Sequence, residues 1–364
     1  MYQNVAEEKF NNLVKNYKTQ DITVLAIESS CDETSVAIVR NGREVLSNIV
    51  STQIDIHRRF GGVVPEVASR NHLLAVNNVT REALDKAGLE FKDIDAIAVT
   101  YGAGLVGALM VGVNYAKALA YSLKLPLIAV NHIKGHISAN YITFKDLKPP
   151  FVSLIVSGGH SALVKVNNYT DNTLLGSTID DAVGECYDKV AKVLGLEYPG
   201  GPNIDKLSKL GSANIQFIKH GIMGGTHDFS FSGLKTAVIN YVHKITQNGD
   251  NLNVNDICAS FQRAVLDELV PKSISACKKY RSKKLVVAGG VSANSALREE
   301  LLAAGKKEGV EVLFPELCYC GDNAAMIGAE AYFNIISGVG LADMSLTATP
   351  NLNLKFTARA LKSK

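Results

Sequence analysis

The sequence predicts a duplicated α/β fold, two similar halves facing each other across a cleft. Three observations predict it. Residues 22–28, 34–40 and 44–50 read as three successive strands, with Asn41-Gly42 as the tight turn between the last two, and a strand–helix alternation follows. After Pro149-Pro150 the same order starts again, with strands at 151–156, 161–166 and 173–177 before helices and a further strand. Finally, Ser157-Gly158-Gly159 and Gly289-Gly290 place glycine turns at matching points, where a phosphate or base could approach the backbone closely. The 364 residues suit about two domains of ~150 residues each.

Residues 1–20 form a polar extension with apolar residues at Val5, Phe10, Leu13, Val14 and Tyr17, the spacing of a short peripheral helix. A long helical pattern covers 65–87, with Pro65 in its first turn and Gly88 as its stop. Then come a strand at 95–100, a helix at 105–123, a strand at 127–130 and a helix at 133–141. In the second half, helices are expected at 181–194 and 256–280. A strand at 284–288 then enters Gly289-Gly290, and a helix starts at Ser292.

Composition excludes several classes. Hydrophobic residues make up 47% and charged residues 20%, so neither disorder nor a nucleic-acid-condensing tail fits. A net charge of +3 names no partner. The most apolar stretch, 103–113, stops well short of the roughly 20 residues a membrane span needs. The N-terminus lacks the order of a signal peptide, and six scattered cysteines make no disulfide framework, so a reduced, cytoplasmic protein is expected. Cys318 and Cys320 are expected to be small buried residues.

Gly102-Ala103-Gly104-Leu105-Val106-Gly107 spells the dinucleotide fingerprint. That motif requires an acid about 20 positions on to hold a ribose, and residues 96–145 contain no Asp or Glu. A nicotinamide reading therefore fails where it should be most specific.

His132 and His136 are four apart in a helical stretch, so both imidazoles share one face. This is the H-x-x-x-H spacing of zinc proteases, but Ile133 stands where their general-base Glu would be. Such a pair can equally be two surface neighbours. Asp322 is the leading third ligand, and helix capping is its ordinary alternative, because a helix start follows it. Two His and one carboxylate would suit iron or zinc as a Lewis acid.

Many ordered segments then match one family. They include Glu28-Ser29-Ser30-Cys31-Asp32-Glu33-Thr34, Gly61-Gly62-Val63-Val64-Pro65-Glu66, His132-x-x-x-His136 and Ser157-Gly158-Gly159-His160. Gly184-Glu185-Cys186-Tyr187-Asp188-Lys189, Tyr198-Pro199-Gly200-Gly201-Pro202, 229–235, 289–294 and Asp322-Asn323 continue the match. From about residue 23 to about residue 340 the chain resembles the tRNA N(6)-adenosine threonylcarbamoyltransferase family in its bacterial form (TsaD). The resemblance implies the actin/Hsp70/sugar-kinase-like (ASKHA) fold. Its ribonuclease-H-like domains would be 21–150, completed by a C-terminal helix over 323–350, and 151–322, with a nucleotide cleft between them.

It further implies transfer of threonylcarbamoyl from threonylcarbamoyl-adenylate to the exocyclic amine of the adenosine beside the anticodon (position 37), in tRNAs reading codons that begin with A. One divalent metal, iron or zinc, would be held by His132, His136 and Asp322. The nucleotide, as the adenylate or as ATP or ADP in its place, would contact Ile155, Val156, Ser157, Gly158, Gly159, Asp188, Gly201, Asp205 and Asn294. Asp32 and Glu33 are candidates for proton acceptance or tRNA positioning, with ordinary turn carboxylates as the alternative. The implied partners are tRNA, a paralogous TsaB-like subunit, a small TsaE-like P-loop ATPase and the upstream synthase of the adenylate. Helices 65–87 and 105–123 are the expected docking surface.

The chain departs from the family pattern in that Gly102-Ala103-Gly104 replaces Gly-Pro-Gly and Gly321 replaces a Thr before Asp322. Asn131 and Lys134 stand where a His and a Glu are frequent, Ser161 replaces a Thr, and residues 1–20 have no counterpart. A zinc peptidase, a nucleotide-binding assembly module and a sugar kinase are the rival readings. For RNA contact, His57-Arg58-Arg59 on an expected loop is favoured over the basic cluster of Lys278, Lys279, Arg281, Lys283 and Lys284.

Overall fold

The computed structural model describes residues 2–217 and 226–352. The first half runs α1 (Tyr2–Asn16), β1 (Thr23–Glu28), β2 (Glu33–Arg40), β3 (Glu44–Thr52), α2 (Ile54–Arg58), α3 (Pro65–Ala87), β4 (Ala96–Gly102), α4 (Val106–Leu123), β5 (Leu127–Asn131) and α5 (His132–Thr143). The second runs β6 (Phe151–Val156), β7 (Ser161–Val166), β8 (Asn172–Ser177), α6 (Val183–Val193), α7 (Gly200–Ser208), α8 (Ser232–Gln247), α9 (Val254–Lys279), β9 (Lys284–Ala288), α10 (Ser295–Glu308) and β10 (Glu311–Leu313). The chain then returns through α11 (Ala324–Ile336) and β11 (Leu341–Ala342).

The duplication is explicit in the sheets. Their strand orders are β11-β5-β4-β1-β2-β3 and β10-β9-β6-β7-β8. In each, an antiparallel three-strand meander is extended by parallel strands on its first member: β4 beside β1 and β9 beside β6. β1 and β6 are buried along their whole lengths, which explains why they read as unbroken apolar runs.

The first sheet packs α3 and α4 on one face and α1, α5 and α11 on the other. The extension is tied down here: Phe10 and Leu13 of α1 are buried in that second face. The second sheet carries α6 to α10 on one face. Its other face, with Phe151, Ile155 and Val164, packs against Ile133, Ile137 and Tyr141 of α5 and Phe333 of α11. Helix α5 is therefore wedged between the two sheets, buried from His132 to Ile142. The Asn131 side chain accepts from Ile133 N at 2.9 Å and caps it.

Several expectations need correction. No element is expected from the sequence over 200–208 or 232–247, where Gly200-Gly201-Pro202 and Ser232-Gly233 open α7 and α8. The helix expected over 323–350 ends at Ile336, where Gly338 takes φ 70° and the chain turns into β11. A 3-10 turn over Gly290–Ala293 delays the next helix to Ser295. Cys318 is exposed, whereas Cys320 is buried as expected.

Glu330 of α11 is buried against α5. Ser138 Oγ donates to its Oε2 at 2.7 Å while Oε1 has no partner. Burial pushes its pKa up from 4.5 to about 7, against the opposing charge of Lys134. The folded protein thus retains a proton that an unfolded chain releases, so stability falls as pH climbs from about 4.5 to about 7. Glu330→Gln is expected to remove this slope, its advantage over wild type in denaturant melts growing across that window.

Candidate functional site

The site begins at the N-terminus of α5. His132 and His136 lie one turn apart, with ring centroids at 4.7 Å. Asp322 Oδ1 lies 3.4 Å from His132 Nε2 and 3.2 Å from His136 Nε2, and one ligand atom from each of the three residues falls within 4.8 Å of the others. Asp322 is free for this role because capping is done by its neighbour. Asn323 accepts from Met326 N at 3.1 Å. The capping alternative for Asp322 is thereby excluded.

Behind His132 stands Glu28, wholly buried at the end of β1. Its Oε2 lies 3.1 Å from His132 Nδ1 and accepts from Thr100 Oγ1 at 2.5 Å, while Oε1 accepts from Ser30 N at 2.6 Å. Ser30 Oγ is also 3.1 Å from His132 Nδ1. Glu28 fixes an Nδ1–H on His132 and turns Nε2 toward Asp322, the orientation that metal-binding imidazoles take from a carboxylate behind them, with Nε2 available as a ligand once a cation displaces its proton. Burial disfavours charge at His132, but Asp322 and Glu28 outweigh it and hold its pKa well above the ordinary range. Burial likewise opposes ionisation of Asp322 and Glu28, and the His132 charge wins in both, drawing their pKa values down. Both ring nitrogens of His136 are buried without a hydrogen bond. Converging nitrogen and oxygen donors, an orphaned imidazole and flanking carboxylates fit a divalent cation.

Asp322 opens into a cavity of about 610 Å³ that also meets Asp32, Glu33, Gly158, Asp188, Gly201, Asp205 and Asn294. A Cβ on Gly158, Gly201 or Gly290 would meet no protein atom within 4 Å, so packing does not demand glycine there and the backbone stands open to the cavity. Gly289 differs: at φ +92° its Cβ would strike Val156 O at 2.4 Å. Ile155, Val156 and Ser157 are buried, and Gly159 faces a different cavity.

Asp205 accepts from Ser295 N at 3.1 Å and from Gln262 Nε2 at 3.2 Å. Asn294 Nδ2 donates to Gln262 Oε1 at 2.8 Å. Gln262 therefore ties the two together, and its sequence signal is one polar residue in the buried stripe of α9. Asp188 accepts from Gly200 N at 2.7 Å, and burial pushes its pKa up to about 6. Tyr198 reaches across the cavity and donates to Asp32 Oδ2 at 3.2 Å. Burial, with the charge of Asp32 next, raises Glu33 well above the usual carboxylate range and also keeps the Cys31 thiol protonated.

The fingerprint at 102–107 is a packing device. A Cβ on Gly102 would meet Thr349 O at 2.1 Å, on Gly104 Ser30 O at 2.5 Å, and on Gly107 Ser69 Oγ at 2.4 Å. The loop expected over 57–59 is only partly one: His57, buried, and Arg58, paired with Asp55 and Glu197, close α2, while Arg59 starts the turn after it, and both arginines are exposed.

Comparison with known proteins agrees with this geometry. Component A of the (R)-2-hydroxyglutaryl-CoA dehydratase of Acidaminococcus fermentans superposes with a TM-score of 0.53 at 15% identity, over 86% of this chain and 99% of its own. HypF of T. kodakarensis gives 0.59 at 14% identity, over 87% and 48%. The fold is of the actin/Hsp70/sugar-kinase class. Within that class, the family model described as tRNA N6-adenosine threonylcarbamoyltransferase (TsaD) matches residues 44–329. Proteins of that name from Clostridium perfringens strain 13 and Clostridium novyi strain NT are 59% and 56% identical, over 91% and 92% of this chain and 98% and 99% of theirs. The chain belongs to this family of tRNA-modifying transferases.

Glu28→Gln is expected to weaken divalent-metal binding on the order of 10–100-fold, because one end of the amide would present a donor where donors already converge. Competition against a chelator measures it.

Proposed function

We propose that the chain transfers threonylcarbamoyl from threonylcarbamoyl-adenylate to the exocyclic amine of the adenosine beside the anticodon of tRNA, at position 37, in tRNAs reading codons that begin with A. One observation carries the reading: the cavity lined by Asp322, whose carboxylate lies against His132 and His136, is lined as well by Asp32, Glu33, Gly158 and Gly290. Transfer needs little covalent help. The acyl donor is already activated by AMP, so alignment and charge stabilisation are what remains. The amine nitrogen forms a bond to the carbamoyl carbon, the carbon–oxygen bond to AMP breaks, and AMP leaves with that electron pair. The nitrogen's proton passes to a carboxylate or to water. Asp32 lies where it can take it, and Glu33, which burial and Asp32 incline to keep its own proton, lies where it can place the acceptor.

An iron or zinc ion on His132, His136 and Asp322 would supply Lewis-acid polarisation of the carbonyl. Gly158, Gly201, Asp188, Asp205 and Asn294 would hold the nucleotide, as adenylate or as ATP or ADP. Lys206 and Lys209 add positive charge to the same wall. Ile155, Val156, Ser157 and Gly159 would shape the turn from behind.

The domains are assigned as 21–150 with the returning C-terminal segment, and 151–322. α3 and α4 expose Leu73, Leu74, Val106 and Met110, an apolar face suited to a TsaB-like paralogue. The TsaE-like ATPase and the adenylate synthase are the remaining partners, and the compartment is cytoplasmic. No described helix is long and apolar enough to cross a membrane.

Single-turnover transfer of labelled threonylcarbamoyl to unmodified tRNA tests the reading, with and without the partners. His136→Ala and Asp322→Ala are each expected to lose on the order of 100-fold or more in rate while still binding ADP. Undiminished transfer in both would reduce the cluster to a structural one.

A further inference from the structure

A second cavity, of about 660 Å³, opens on the other side of the 157–160 turn. Gly158 faces the first cavity, whereas Gly159 and His160 face the second, so the turn is a partition between them. The second cavity reaches the start of α5, and the first lies against it through Asp322. Ile133 lines the second, and Asp322, against His132, lines the first.

We infer that the second cavity is the acceptor subsite, which receives the adenosine nucleotide of the RNA strand while the adenylate occupies the first. This rests on the transfer reading above, and three observations support it. Transfer requires two nucleotide-sized substrates at once, and each cavity has the volume of a site for one such ligand. Their charge differs as well. The first is lined by five carboxylates, Asp32, Glu33, Asp188, Asp205 and Asp322, against two lysines. Among the described residues lining the second there is no Asp or Glu. An RNA strand carries a charge on every phosphate, so a wall without carboxylates admits it at less electrostatic cost than one where Asp32, Asp188 and Asp205 stand. Lastly, the walls suit a splayed-out base: Ile133, Ala162 and a 41% exposed Leu174 offer apolar surface, with Ser177, Thr178 and His160 as hydrogen-bonding groups.

Filling the cavity tests this. Leu174 and Ser177 both lie on β8, Leu174 exposed and Ser177 half-buried at the cavity wall, so Leu174→Trp and Ser177→Tyr are expected to fold, with unchanged melting temperatures. In both, kcat/KM for unmodified tRNA in the transfer assay should fall on the order of tenfold or more. ADP affinity, measured by calorimetry on the same preparations, should stay at the wild-type value. Asn294→Ala should do the reverse, weakening ADP while leaving the half-saturating tRNA concentration unchanged. Normal tRNA kinetics in both filled variants would overturn the inference, as would loss of ADP affinity in either, which would give the cavity to the donor. If the wild type itself transfers nothing to tRNA under any condition, the parent reading falls, and this one with it.

Discussion

The burial of α5 between the two sheets is the constraint on which the rest depends. A helix packed on both sides cannot be amphipathic, and α5 presents Ile133, Ile137 and Tyr141 to the second sheet and Ala139 and Ile142 to the first. Each large apolar side chain buried this way contributes about 1.5–3 kcal/mol. That packing fixes the helix axis to both lobes, and the Asn131 cap fixes where the helix starts. His132 and His136 consequently sit at the floor of the cleft, where neither lobe can move without disturbing them.

Around those imidazoles the protein collects negative charge in a place with little water. Glu28 and Asp322 approach from opposite sides, one from the end of β1 and one from the second residue before α11. Either carboxylate alone would be expensive to bury ionised. With positive charge between them, and with Ser30 and Thr100 donating to Glu28, the arrangement is favourable. The same logic distinguishes the two openings of the cleft. The acidic one suits a ligand met by lysines and a cation, and the neutral one suits a strand that brings its own charge.

Much of this was legible in the chain. The repeated meander, the glycine turns, the spacing of the histidines and the choice of Asp322 were all visible because they depend on local periodicity or on an ordered set of motifs. What escaped was anything settled by long-range contact. α7 opens on Gly200-Gly201 and α8 has Gly233 in its first turn, and glycine's low helix propensity hides both starts until the lobe packs them. Glu28 looked like the last residue of a strand, and Gln262 like one polar residue in a helix. Their roles come from partners 104 and 32 residues away.

By itself the sequence determined the duplication, the pairing of two histidines on one helical face and the family, since each is a pattern in residue order. Only the tertiary structure decided that Asp322 rather than Asn323 turns toward those histidines. It also decided that the glycines of 102–107 serve packing rather than a pyrophosphate, and that one four-residue turn separates two cavities. Those outcomes depend on which surfaces meet when the sheets close on α5, and residue order does not record distances between segments that are far apart in the chain.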